Sequence, residues 1–375
     1  MRIRRIPKFS VTLLALCLVV VPSFIGRVGT PYAYFGWTGE GPPYTGLGLR
    51  VAIVKPVFTA TAYSGRFGGP PSFYEFYDKH GKDPKTEVIT TDLNLLNVSV
   101  VDGWGWSENL GRYITSVLGD YGLGTMSAQS FTILSDIDVT EGGLFNQGGS
   151  SKFDVIVLGF TEYATSQEYY DYQRFVASGG RLVVMDASDF VAEVKYYPQT
   201  NHLALVRGHG WRFDGGKVWF DDGGFIRWET ENANWVGSNQ LLCCSSQQNR
   251  LPCSIPWLAW LAPRRYTGAN VTGNYPISVA LKQRFGSVVF RCYAGHEENS
   301  VTNMTDTTIL ARWLGPSLNP QNIVAAYLHR YINGTVVDIG VMSSDVVDQD
   351  TSVQFFLLSS IVDSTRTQSQ LGMVL

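Results

Sequence analysis

The chain has 375 residues, a formal net charge of −3, 16% charged and 13% aromatic residues, and 39 glycines. Its length suffices for one large domain or two ordinary ones with a sizeable core. The near-neutral charge, with no basic stripe, argues against a nucleic-acid partner. A composition poor in lysine and rich in aromatic residues and glycine favours an extracytoplasmic protein with long ordered loops over a cytosolic enzyme.

The N-terminal segment joins a basic patch to an apolar run. Basic residues within positions 2–8 precede a mostly apolar stretch over 11–25. This pattern is typical of a secretory signal or of an uncleaved anchor, although the run is short for a spanning helix, which needs about 20 residues. Residues 1–27 are therefore predicted to be a signal peptide or an N-terminal membrane anchor, and 28–49 a linker. We expect the body to lie outside the cytoplasm, either secreted or held at the membrane.

Acceptor triplets and cysteines agree with export. N-glycosylation triplets begin at Asn97, Asn270, Asn303 and Asn333. Apart from Cys17, the cysteines are Cys243, Cys244, Cys253 and Cys292. Because this set is even, it predicts two disulfides of undetermined connectivity in an oxidising compartment. A zinc site is the alternative, although no pair has the C-x-x-C spacing.

The first half of the chain is predicted to contain buried strands separated by a long polar and aromatic segment. Arg50–Phe58 is the first predicted strand, and Phe131–Val139 is the second. Between them, Thr59–Thr91 is too long for an ordinary connection, and loops of such length are usually functional or act as lids. Ser107 is expected to precede a helix.

The central stretch, Phe153–Asp189, predicts a strand, a helix and a second strand. The apolar run 154–159 suits a strand covered on both faces, and Thr165-x-x-Glu168 is a capping box. Gly179-Gly180 ends the helix, and 181–186 is the next strand. A strand–helix–strand unit implies two parallel strands, and ligands of such sheets bind beyond the carboxyl ends. Function is therefore expected at 159–163 and 186–189.

The second half begins with a stretch of different character. Residues 190–319 carry many tryptophans among Gly and Asp, and include the cysteines 243–292, which predicts a β-rich insertion. The tryptophans are read as core residues or as an aromatic platform for a glycan. Asn333-Gly334 between apolar runs predicts a hairpin. A closing helix is predicted over Thr351–Val362, and residues 366–375 form a tail.

Two tracts carry a family resemblance. GFTEYATSQEYYDYQRFVASGGRLVVMDAS (159–188) and RYINGTVVDIGVMSS (330–344) resemble the C-terminal domain of the N,N-dimethylformamidase large subunit, within the class I glutamine amidotransferase-like fold. The resemblance spans roughly 50–365. It implies an α/β domain with a flavodoxin-like, mostly parallel sheet, built from 50–189 and 320–365, with 190–319 inserted over the carboxyl edge.

The resemblance does not extend to a cysteine nucleophile. A working amidotransferase of this class places a cysteine on the turn after the strand 181–186, whereas this turn reads Asp186-Ala187-Ser188-Asp189. Ser188 lacks the G-x-S-x-G context of a serine nucleophile. Glutamine hydrolysis through a thioester is therefore not expected.

The dimethylformamidase family instead resembles an iron amidohydrolase in which tyrosinate and carboxylate oxygens hold a ferric ion. Hard oxygen ligands suit that ion. Tyr163 matches the family's Glu-Tyr position and is predicted as a metal ligand. The remaining ligands are not fixed by a motif: Glu231 or Glu229 could supply the carboxylate, and Tyr63 or Tyr121 the second phenol.

Three further side chains are candidates for acid–base chemistry. Glu162 adjoins Tyr163, and Asp186 lies at the end of the next strand, with Asp189 close behind it. His209 stands between Gly208 and Gly210, so a sharp bend could leave its imidazole available as a base. The alternative roles are a loop-closing hydrogen bond for His209 and helix capping for the aspartates.

Two functions remain open from the sequence. The first is a catalytically silent surface protein with a degenerate amidotransferase-like domain that has a structural role or binds a small molecule, a glycan, the envelope or another subunit. The second is an iron-dependent amidohydrolase that acts on a small amide. The sequence gives neither the substrate nor the oligomeric state.

Overall fold

The computed structural model describes ten ranges of the chain. They are residues 49–81, 87–119, 131–187, 189–214, 217–220, 226–242, 268–291, 298–314, 323–340 and 343–362. The α-helices are α1 Val57–Ala62, α2 Phe73–His80, α3 Thr90–Leu93, α4 Glu108–Gly119, α5 Asp136–Thr140, α6 Ser166–Ala177, α7 Glu229–Trp235, α8 Pro276–Phe285, α9 Ser343–Val346 and α10 Thr351–Val362. Short 3₁₀ turns cover Ser64–Phe67, Asn94–Leu96 and Gly105–Ser107.

The strands form three sheets. In chain order they are β1 Val51–Lys55, β2 Asn97–Ser99, β3 Phe131–Ser135, β4 Val155–Leu158, β5 Tyr163–Thr165, β6 Arg181–Val184, β7 Ala192–Tyr197, β8 His202–Gly208, β9 Trp211–Asp214, β10 Lys217–Phe220, β11 Ser238–Leu242, β12 Ala269–Val271, β13 Val288–Val289, β14 Glu298–Val301, β15 Thr307–Trp313, β16 Ile323–Val324, β17 Ala326–Tyr331 and β18 Gly334–Asp338. The nine-stranded sheet has the order β13-β12-β15-β17-β18-β6-β4-β1-β3. A six-stranded sheet contains β10, β9, β8, β7, β5 and β2, and a three-stranded sheet contains β11, β14 and β16.

The predicted strand–helix–strand unit is confirmed. Strands β4 and β6 pair in parallel, with Val155 opposite Arg181, and α6 connects them. Thr165 caps α6 by accepting a hydrogen bond from the Glu168 amide. The helix ends before Gly179, whose φ of 106° lies in the left-handed region that glycine tolerates.

The flavodoxin-like, mostly parallel sheet is wrong, because the nine-stranded sheet is mixed. Parallel pairing is confined to β3, β1, β4, β6 and β18, and every pairing from β18 across to β13 is antiparallel. The reason lies in the Asn333-Gly334 turn, since a tight hairpin can join only antiparallel strands. That hairpin, β17–β18, was predicted and is confirmed, as is helix α10.

The range predicted as an insertion contributes to the main sheet. Strands β12, β13 and β15 extend the nine-stranded sheet instead of lying over its carboxyl edge. Strands β7–β10, also from this range, form the six-stranded sheet with β2 and β5, mostly by antiparallel pairing.

Two predicted strands end earlier than expected. The first stops at Lys55 because Pro56 has no amide hydrogen for the ladder. The second stops at Ser135, whose hydroxyl accepts a hydrogen bond from the Asp138 amide and begins α5.

The predicted transmembrane helix and disulfides receive no support. Within the ten described ranges, no helix is long and apolar enough to cross a membrane. The segment 1–27 that carried the membrane prediction lies outside those ranges, as do all five cysteines.

Both faces of the nine-stranded sheet are buried. Val51 and Ile53 of β1 belong to one core cluster, whereas the alternate residues Ala52 and Val54 belong to another. A third cluster packs α1 and α2 against the six-stranded sheet, and it contains both Tyr63 and Tyr163. This third cluster contains Phe160 and Tyr163, just beyond the carboxyl end of β4, which is one of the two strand ends where the site was expected.

Candidate functional site

Four polar side chains meet in the third cluster, and we call them the quartet: Tyr63, Glu162, Tyr163 and His209. The Tyr63 hydroxyl donates a hydrogen bond to Oε2 of Glu162. The other carboxylate oxygen, Oε1, lies 2.7 Å from Nε2 of His209. The same nitrogen lies 2.8 Å from the Tyr163 hydroxyl. One carboxylate, one imidazole and two phenols therefore form a continuous hydrogen-bonded network.

Two of the quartet residues are placed by the strand β4 and a third by β1. The chain leaves β4 at Leu158 and reaches Glu162 and Tyr163, where β5 begins. Beyond β1, the short helix α1 ends at Tyr63. The Tyr163 amide donates to Oγ1 of Thr59 in α1 at 3.1 Å, which ties the two segments together. The parallel pairing of β1 and β4 thus brings residues 99 positions apart into contact.

His209 reaches the quartet from a tight turn between β8 and β9. Its φ is 52°, and that of Gly210 is 78°, so two consecutive residues are left-handed. A Cβ at Gly208 would lie only 2.3 Å from that of Ala192, so the close approach of β7 requires glycine there. The sharp bend inferred from the flanking glycines is confirmed, and it directs the imidazole at Glu162.

The quartet is buried. Exposed fractions are 6% for Tyr63, 3% for Glu162, 0% for Tyr163 and 8% for His209. Burial, followed by the nearby Glu162 carboxylate, raises the pKa of the Tyr163 phenol well above its ordinary value. Tyr163 therefore keeps its proton at neutral pH unless a cation stabilises the phenolate.

Aromatic rings cover the quartet. From α2, Tyr74 stacks on Tyr63 with centroids 4.4 Å apart, and Tyr77 lies 4.4 Å from the His209 ring. Phe73 packs on Tyr163 at 5.7 Å. These rings come from the long segment 59–91. The sequence of that segment did not indicate which of its residues would lie over the quartet.

The quartet has the donors of a hard-metal site. Two phenols and a carboxylate supply oxygen ligands, and His209 adds a nitrogen. No described group of three or more His, Cys, Asp and Glu side chains could hold a metal. A metal at the quartet would therefore depend on its phenols.

The other predicted aspartates lie near the same strand ends but bind elsewhere. Oδ2 of Asp186 accepts a hydrogen bond from Ser344 at 2.5 Å. Oδ1 of Asp189 accepts from the Thr161 amide at 2.7 Å, and burial raises the pKa of this carboxyl well above its usual range.

Glu231, predicted as a metal ligand, lies in the first turn of α7 and is half-buried. Its charge acts on Tyr169, which belongs to the second core cluster and not to that of the quartet. Glu229 is exposed at the start of the same helix, and Tyr121 lies outside the described residues. Tyr63, one of the two phenols left open by the sequence, reaches Glu162.

A second acidic group was missed. Asp136 and Glu168, which we call the carboxyl pair, are fully buried, and each shifts the pKa of the other. Oδ2 of Asp136 accepts from the Phe58 amide at 2.7 Å, and Oε1 of Glu168 accepts from the Tyr172 hydroxyl at 2.9 Å. Glu168 was visible in sequence as a capping residue, but nothing in the sequence indicated Asp136 as its partner.

Comparisons with known proteins identify no family. No family model matches the chain, and no curated protein matches it. Among solved structures, a ThuA-like protein from Bacteroides uniformis is 9% identical, with 89% of this chain and 96% of that chain covered and a TM-score of 0.41. The β-galactosidase of Rahnella sp. R3 is 9% identical over 86% of this chain, with a TM-score of 0.37. That of Bacillus circulans sp. alkalophilus is 10% identical over 84% of this chain, with a TM-score of 0.37.

This chain spans about a third of the length of those β-galactosidases, of which 31% is covered in each case.

Proposed function

We propose that the protein is a metal-dependent hydrolase whose centre is the quartet, with a ferric ion as the metal. The observation that carries the proposal is the convergence of two phenols, a carboxylate and an imidazole from separate segments on one buried point. Tyr63, Glu162 and Tyr163 would hold the ion. Its chemistry would be to polarise a carbonyl and to lower the pKa of bound water.

The residues of the chain supply the proton transfers. His209 is the base: its Nε2–H donates to Glu162 at 2.7 Å, and its other ring nitrogen, Nδ1, takes a proton from the attacking water. In amide hydrolysis the water oxygen bonds to the carbonyl carbon, the C–N bond breaks, and His209 returns the proton to the departing amine. The surrounding aromatic rings exclude bulk water, which strengthens these electrostatic interactions.

The proposed substrate is a small amide. This choice rests on the resemblance of residues 159–188 to the dimethylformamidase domain. A neutral compact substrate suits a site walled by Phe73, Tyr74 and Tyr77.

A second candidate function is a catalytically silent extracytoplasmic protein that binds a glycan or a small molecule. It is favoured by β10, which exposes 41% of Trp219 and 50% of Phe220 on its surface. Exposed aromatic rings of this kind can stack on sugars. In this case the quartet would be a structural hydrogen-bonded network.

Metal analysis and visible absorption of the purified full chain test the proposal. Ferric phenolate absorbs visible light, so the iron-loaded protein should be coloured, and Tyr163→Phe should lose or shift the band. Tyr172→Phe is the matched control, because Tyr172 is an equally buried tyrosine bound to Glu168 and not to the quartet.

The proposal also requires hydrolysis of small amides such as acetamide by the coloured protein and not by Tyr163→Phe. A parent protein that takes up no iron and shows no band would contradict the iron-dependent hydrolase. The silent binding protein would then be the remaining candidate function.

A further inference from the structure

The quartet is too deeply buried for a ligand to reach it without some movement of the protein. The four side chains are at most 8% exposed, so a ligand can reach His209 only if a covering group moves. The covering groups over His209 and Tyr63 are the Tyr77 and Tyr74 rings of α2.

Helix α2 as a whole is held at both ends. At its start, the Ser72 hydroxyl donates to the Ala62 carbonyl at 2.6 Å. At its end, Asp92 binds Lys79 at 2.6 Å and His80 at 3.0 Å. The helix also buries Phe73 and Phe76 completely, so lifting it would expose two large apolar side chains.

The two covering rings are held differently. Tyr74 is 7% exposed, stacks on Tyr63 with one face and carries the Arg66 guanidinium 4.1 Å above its ring. Arg66 is itself fixed by Asp78 at 2.7 Å. Tyr77 also packs on Tyr74, with ring centroids 5.7 Å apart, but it is only half-buried, so less of it is covered than of Tyr74.

We propose that Tyr77 is the gate of the quartet: its ring turns away from His209 to admit a planar ligand, which then stacks on the imidazole in place of the phenol. Side-chain rotation of a partly exposed ring is fast and needs no movement of the backbone. The 4.4 Å spacing and 35° tilt of the two rings show that His209 already accepts a flat neighbour. This inference rests on the proposed function for its substrate, a planar amide, but its test does not.

Chemical modification of His209 by diethyl pyrocarbonate, followed by mass spectrometry on the full chain, measures access directly. Tyr77→Ala should raise the modification rate of His209 about tenfold or more, since covered states of this kind typically open 0.1–10% of the time. Tyr77→Phe keeps the ring and should stay within about twofold of the parent.

Two other histidines serve as internal references. His80 is fully buried at the end of the same helix, and half-buried His202 reports reagent activity. A rise at both His209 and His80 would mean that α2 has unfolded locally, and it would overturn the gate. An unchanged His209 rate in Tyr77→Ala would overturn it as well.

The stacking of a ligand is tested with benzamide as the probe. Benzamide should slow modification of His209 in the parent, whereas cyclohexanecarboxamide, with the same amide on a puckered ring, should slow it less. Equal protection, or none, would contradict a planar slot. All these readouts are independent of iron and of hydrolysis, so failure of the proposed function would leave them unchanged.

Discussion

Two groups of buried acidic side chains lie beyond the carboxyl ends of β1, β3 and β4, and their partners differ. In the quartet, Glu162 faces a phenol and an imidazole. In the carboxyl pair, Asp136 and Glu168 face each other, and burial and mutual repulsion raise the pKa of Glu168 well above its ordinary value. Two carboxyl groups in contact cannot both ionise, so the pair must retain a proton.

The comparison teaches that burial of an acid near strand ends does not define a functional site. The partners decide its chemistry: a carboxylate beside a base and two phenols can bind a cation or move a proton. A carboxyl pair that keeps a proton and is bound by other groups behaves as a structural link. Here it joins the Phe58 amide of α1 to Tyr172 of α6.

The largest expected effect comes from removing the charge of one acid in each group. Glu162→Gln should lower iron affinity at least about a hundredfold, because a ligand is lost together with the group that orients His209. Glu168→Gln, the matched change in the carboxyl pair, should leave iron affinity unchanged. Titration of both apo variants with ferric ion, followed by absorbance, checks this. Equal losses in the two variants would remove the distinction between the groups.

The second effect is on the pH dependence of stability. Burial raises the pKa of Asp136 from 3.8 to about 7, so the folded protein holds a proton that the unfolded chain releases above about pH 4. The contribution of Asp136 is therefore fully present below about pH 4 and is lost as the pH rises to about 7. Urea unfolding across this range should show a decline on the order of a few kcal/mol, to which Asp338, with a pKa of about 7, also contributes.

Asp136→Asn should flatten part of that decline, because asparagine does not titrate. Asp154→Asn is the control: the Arg50 hydrogen bond and charge lower the pKa of Asp154, so its effect falls below this window. If Asp136→Asn left the pH dependence of the parent unchanged, the carboxyl pair would not hold a proton in this window.

The sequence predicted those structural features that are determined by a few neighbouring residues. The capping box at Thr165, the glycines that end α6 and the Asn333-Gly334 turn each act within a few residues, and each is confirmed. Sheet direction has no such signal: β12, β15 and β17 pair across long separations, and tertiary packing sets their polarity.

The same distinction between local signals and tertiary packing applies to the residues of the site. Glu162, Tyr163 and His209 were found because a strand end and paired glycines mark their positions. Tyr63 remained one of two candidates, since only the β1–β4 pairing brings it to Glu162. Asp136 was read as part of a strand, so its meeting with Glu168 could not be foreseen.

A smaller effect is expected at the cap that holds Glu168. Thr165→Ala removes the hydroxyl that accepts from the Glu168 amide at 3.1 Å, and should cost about 1 kcal/mol of the free energy of unfolding. Thr165→Ser keeps the hydroxyl and should cost less. Urea unfolding measures both. If the two variants are equally destabilised, the capping bond is not the cause, and the lost contact of the threonine methyl group is.

The smallest effect is expected at Glu231. The sequence suggested it as a metal ligand, but it lies near Tyr169 of the second core cluster and not in the quartet's cluster. It is half-buried in the first turn of α7. An acid in a first helical turn interacts favourably with the helix dipole, by a few tenths of a kcal/mol when exposed. Glu231→Gln should therefore change unfolding by less than about 0.5 kcal/mol and leave iron affinity at the parent value. If it instead lowered iron affinity as much as Glu162→Gln, the metal would not be held by the quartet alone, and α7 would have to approach it when iron binds.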